Sequence, residues 1–261
     1  MQVMFRRALS VVAFAVWPVI AQAHGAVAPD GIDAATGVAV AALTLATWLY
    51  GRGYARSPAL RARHAIAFLG GWFAIALALV SPLDRAAERS FALHMVQHEL
   101  LMLVAPPLLI LGRPFAALAV TLPPRALRVA AWPLAVPPLA AWSLHAAALW
   151  IWHLPRWFDA GGTSDAVHAL QHACFFWSAL LFWWTVFRRV SNGTAALYLL
   201  TTLIHSGALA ALLTFAPAAL YAGATLEQQQ LGGLIMWVPA GYALLAAGLL
   251  AFHRVLRPHE A

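Results

Sequence analysis

The sequence predicts an all-α, polytopic transmembrane helix bundle of about seven spans, N-out and C-in. Three observations carry this. The 261 residues are 63% hydrophobic and only 10% charged, whereas soluble domains are roughly a quarter charged. The mean hydropathy is +0.77. Apolar stretches long enough to cross about 30 Å of hydrocarbon recur along the chain. This composition excludes disordered, collagen-like and disulfide-framework proteins. A net charge of +7 can signal nucleic-acid binding. Here, however, the basic residues are all arginine and lie scattered between apolar runs, so the sequence predicts no nucleic-acid partner. The one cysteine, Cys174, rules out an internal disulfide, CxxC redox chemistry and a thiolate zinc site.

Residues 1–23 have the three-part grammar of a secretory signal peptide: Arg6 and Arg7, an apolar stretch, then Ala21-Gln22-Ala23 as a cleavage site. An uncleaved signal anchor is the alternative, and either one starts the following chain outside the cytoplasm. Residues 24–261 then read as a single seven-span membrane domain. Spans are expected near 34–50, 64–82, 91–111, 132–153, 166–187, 195–217 and 231–252, separated by Gly, Pro or charges. With the mature N-terminus outside, eleven arginines fall in inner loops and three, Arg85, Arg89 and Arg156, in outer ones. The positive-inside rule therefore sets the orientation. Trp150, Trp152, Trp157 and Trp237 stand where an outer aromatic belt belongs.

Eleven histidines against nine carboxylates is the unusual count. Ionisable residues inside spans are expensive and suggest function. His94 and His98 stand one helical turn apart in the third span, with Met102 one turn deeper on nearly the same face. His168 and His172 repeat the spacing in the fifth. Both pairs begin helices that enter from outside, about 4–11 Å below the outer surface. The fourth span ends in Trp152-His153-Leu154-Pro155, with His145 about 12 Å deeper. His205 lies near mid-membrane, and Met236 about one turn into the seventh span.

Paired imidazoles on facing helices can complete three or four ligands to one metal ion. The plain alternative is that they cap helix ends or bond neighbouring helices. Two pairs in one leaflet favour the metal, with His94, His98, His168, His172, His153 and Met236 as candidate ligands. Imidazole suits copper, zinc, iron or nickel, and nearby thioethers tilt the choice to Cu(I). A haem b held between facing histidines is a second reading. A third is a copper or proton permease using His205 and Glu99. Glu99 reads either as a proton-linked neighbour of the site or as a neutral interhelical hydrogen-bonding group. If the signal is cleaved after Ala23, the α-amine and imidazole of His24 form a separate copper chelate. Cys174 points away from the histidine face, and His64, His253 and His259 belong to the inner interface. Pro106-Pro107 kinks the third span, either opening a vestibule or simply packing. No catalytic residues are expected. Ser206 beside His205 lacks an orienting acid, and Met102 stands where an HExxH motif needs its second histidine.

Several motifs carry a family resemblance. They are Ser81-Pro82-Leu83-Asp84, His94-Met95-Val96-Gln97-His98, Leu100-Leu101-Met102-Leu103-Val104-Ala105-Pro106-Pro107-Leu108, Trp152-His153-Leu154-Pro155, His168-Ala169-Leu170-Gln171-His172 and Gln229-Gln230-Leu231-Gly232-Gly233-Leu234-Ile235-Met236-Trp237-Val238-Pro239. In this order, over about residues 34–253, they resemble the polytopic CtaG-type cytochrome c oxidase assembly factors. The resemblance implies a multi-pass protein of the bacterial cytoplasmic (inner) membrane that helps mature an aa-type haem–copper oxidase through copper delivery. It further implies oxidase subunits and a periplasmic copper donor as partners. The chain departs from the family pattern at Glu99, where an apolar residue is usual, and at Gln228, where an acid is usual.

Overall fold

The computed structural model describes residues 34–257. The expected signal segment, 1–23, and His24 lie outside the described residues. Every regular element among those described is helical. In chain order they are α1 (Ala34–Arg56), α2 (Ala62–Leu79), α3 (Pro82–Ala87), α4 (Phe91–Glu99), a π-helical segment (Leu100–Val104), α5 (Ala105–Leu111), α6 (Pro114–Leu118), α7 (Pro124–Ala131), a 3-10 turn (Trp132–Ala135), α8 (Pro138–Trp152), α9 (Pro155–Thr163), α10 (Asp165–Arg188), α11 (Asn192–Thr214) and α12 (Leu226–Leu256).

Among the described residues five stretches are long and apolar enough to cross a membrane: Ala62–Leu79, Phe91–Leu111, Asp165–Arg188, Asn192–Thr214 and Leu226–Leu256. A sixth is added if Pro124–Ala135 and Pro138–Trp152 count as one broken span. The expected span near 34–50 falls within α1, which is not among these. Outward apolar side chains such as Phe73, Ile204 and Leu212 are 67%, 62% and 59% exposed, which suits lipid and not water. The protein is a multi-pass membrane protein.

Where one continuous span is expected over 132–153, the helix is interrupted. Pro137 and Pro138 lack the amide donors that continuity needs, so α8 starts at Pro138 and is only about 22 Å long.

The described residues up to Arg85, with Pro107–Ala135, form one compact unit; Ala86–Pro106, with the residues from Val136 on, form the second. In the first, Tyr50 stacks on Phe68 with ring centroids 3.7 Å apart and donates its hydroxyl to the Gly112 carbonyl at 2.8 Å. The Trp72 indole donates to the Leu43 carbonyl, tying α2 to α1.

The second unit is built around α10. Phe175, Ala179, Phe182 and Val186 recur every three or four residues and form its buried face. Helix α12 approaches its neighbours through glycine. A Cβ on Gly232 would lie 2.5 Å from the Phe91 ring, and one on Gly233 2.5 Å from Thr214 Oγ1. Gln229, fully buried, donates to the Leu213 carbonyl at 3.2 Å and accepts from the Leu220 amide at 2.6 Å. It thereby holds the loop between α11 and α12 against the bundle.

Candidate metal centre

Two helices of the second unit begin alike. The Ser90 hydroxyl accepts from the Leu93 amide at the start of α4, and the Ser164 hydroxyl from the Val167 amide at the start of α10. Each hydroxyl satisfies one of the amides a helix start leaves without a partner. His94 and His168 stand four residues past their caps, and their amides donate to the cap carbonyls at 3.0 and 2.9 Å. His98 and His172 follow one turn later. Equal spacing from the caps sets both pairs at matching positions in their helices.

The four rings converge. Centroids are 4.3 Å apart for His94 and His98, 4.2 Å for His168 and His172, 5.1 Å for His94 and His168, and 5.4 Å for His98 and His172. His153, at the end of α8, joins them 5.8 Å from His98. Its Nδ1 lies 2.6 Å from the Leu149 carbonyl, which can only accept, so Nδ1 carries the proton and Nε2 the lone pair. Tyr221 donates its hydroxyl to the His153 carbonyl at 2.8 Å. Burial, with Asp159 nearby, pushes the Tyr221 phenol above its ordinary value and keeps that donor protonated.

The nitrogens left over define the chemistry. His94 Nε2, both nitrogens of His98, and Nε2 of His153, His168 and His172 are buried without a hydrogen-bond partner. A buried polar atom left in that condition costs about 1–3 kcal/mol, and several in one place fit a shared positive ion. One ligand atom from each of His94, His168 and His172 lies within 4.8 Å of the other two. Metal–imidazole bonds of about 2.0 Å need nitrogens about 3.3 Å apart, within reach of modest side-chain rotation. Burial deepens from half-buried His168 to fully buried His98, so His168 is the accessible end of the cluster. Phe158 packs on His94 at 5.2 Å and Phe175 on His98 at 4.6 Å, walling the cluster.

The model of the family described as cytochrome c oxidase caa3 assembly factor (Caa3_CtaG) matches residues 45–258. The chain belongs to this family. The matched region holds all five clustered histidines. No curated protein and no solved structure matches the chain.

The remaining sequence candidates of this caa3 assembly factor family member fall elsewhere. Met236, Met102, Glu99 and His145 line a small cavity of about 40 Å³ with Ser206. His205 packs edge-on against Trp142 at 5.7 Å, and its ring nitrogens have no partner. The Ser90 and Ser164 caps have a signal in the sequence, a serine four residues ahead of each pair, that the i, i+4 histidine pattern does not include. Phe158, on the short helix α9, and Tyr221, in the loop held by Gln229, join the site only in the fold. No local pattern announces either contact.

Proposed function

We propose that this oxidase assembly factor binds copper as cargo at the histidine cluster and passes it to an aa-type haem–copper oxidase subunit. The observation that carries the reading is the set of partnerless, buried imidazole nitrogens drawn from α4, α10 and the end of α8. An all-imidazole donor set suits copper, and the family's role supplies the destination. The arginine distribution supports an orientation with the cluster facing the periplasm of a bacterial inner membrane. A periplasmic copper donor would then meet the half-buried end at His168. The role is one of binding and transfer, with no catalytic group.

Five imidazoles, with neighbouring centroids 4.2 to 5.8 Å apart and phenyl rings packed beside them, favour one small ion over a planar haem. The test is His98→Ala combined with His172→Ala in a strain dependent on the oxidase. The variant is expected to reach the membrane at normal abundance while the oxidase loses copper. Full copper content in the oxidase of that strain would contradict the proposal.

A further inference from the structure

The cavity lined by Glu99, Met102, His145, Ser206 and Met236 contains chemistry the histidine cluster does not use. Only three described residues are methionine, and two of them, Met102 and Met236, face this one space; the third, Met95, packs near Gly232 instead. Met102 belongs to the π-helical segment, where the Ala105 amide donates to the Leu100 carbonyl five residues back. Such π turns recur at functional sites.

His145 is oriented for ligation. When the Ser178 hydroxyl donates to the Phe175 carbonyl at 3.2 Å, its oxygen is free to accept from His145 Nδ1, also at 3.2 Å. Nε2 is left as the lone-pair atom of a ring stacked on Phe182 at 5.1 Å. Glu99 Oε2 is buried without a hydrogen-bond partner. Two thioethers, one imidazole and a carboxylate group with one unpartnered oxygen thus line one cavity.

We propose that this cavity is a second, softer metal site that takes Cu(I). Thioether sulfur selects Cu(I) over divalent ions, whereas the outer cluster offers imidazole alone. The inference rests on the copper reading of that cluster and extends it. His98, at the floor of the imidazole site, is four residues and about 6 Å along the helix from Met102. A Cu(I) ion received by the histidines therefore has a thioether site within one helical turn, without leaving α4 and its continuation.

The test is anaerobic Cu(I) loading of the purified full chain in detergent, reading metal retained per chain and the copper–sulfur shell by X-ray absorption. Wild-type protein is expected to hold two ions, one of them sulfur-ligated. Met102→Leu with Met236→Leu, changes close in volume, is expected to hold one ion with no sulfur shell. Met95→Leu is expected to keep both ions, and loss of an ion there would trace the effect to packing and overturn the assignment. His94→Ala with His172→Ala is expected to leave the sulfur-ligated ion in place. Wild-type copper without a sulfur shell would overturn the deep site and leave the histidine reading intact. A single, sulfur-ligated ion in wild type would support the deep site and count against the histidine reading.

Discussion

The Trp183 indole donates to the Met102 carbonyl at 3.0 Å, the oxygen that Pro106, with no amide hydrogen, leaves without its α-helical donor. One proline on the third expected span is thus answered by one tryptophan on α10, and Met102 is held where the π turn presents it. Trp183→Phe leaves a smaller aromatic ring and removes the donor. It is expected to lower stability by about 1–3 kcal/mol, read as a lower midpoint of thermal unfolding in detergent. An unchanged midpoint would show that this carbonyl is satisfied some other way.

Gly232 sets the distance between α12 and the aromatic wall. Phe91 stacks on Tyr221 at 5.0 Å and meets Phe158 at 5.2 Å, and Phe158 packs on His94. A side chain at Gly232 displaces Phe91 and with it this wall. Gly232→Val is expected to cost about 1–3 kcal/mol and to weaken copper retention. Gly241→Ala on the same helix, where a Cβ meets only Leu203 at 4.0 Å, is expected to lower neither stability nor copper retention.

The serine caps fix the register of both histidine pairs. Ser90→Ala and Ser164→Ala are each expected to cost about 1 kcal/mol, seen as faster amide exchange in the first turns of α4 and α10. Copper affinity is expected to fall more in the double variant than in either single one, because both pairs face the same ion.

Orientation has a simple check. A reporter fused after Arg257 is expected to fluoresce as a cytoplasmic domain, and one inserted near Asp159 to report the periplasm. The reverse pattern would place the histidine cluster on the cytoplasmic side and remove the periplasmic donor from the account.

Helix positions were legible because lipid requires long apolar runs with every backbone group satisfied internally. The expected third, fifth, sixth and seventh spans overlap α4 to α5, α10, α11 and α12 closely. The interruption before α8 was only partly legible: Trp132 to Trp152 is apolar apart from Ser143 and His145 and reads as one span, yet Pro137-Pro138 marks a span start and α8 begins there. Within the site, i, i+4 spacing correctly placed His94 beside His98 and His168 beside His172, a purely local relation. It also put Met102 and Met236 with the histidines, because periodicity yields depth and helix face but not which neighbours share that face. The structure sets both methionines on the cavity of Glu99 and His145. The π turn at Leu100–Val104 lies outside any 3.6-residue pattern. Contacts such as Tyr221 to His153, 68 residues apart, have no local signature.

The central claim is that imidazoles from α4 and α10 share one copper ion. X-ray absorption of the purified protein loaded with one equivalent of Cu(II) tests it most directly, since the outer pattern of the spectrum counts imidazole rings. Three or four histidine ligands in wild type, reduced or lost in His94→Ala with His172→Ala, is the expected result. Copper bound without imidazole, or a spectrum unchanged in that variant, would contradict it.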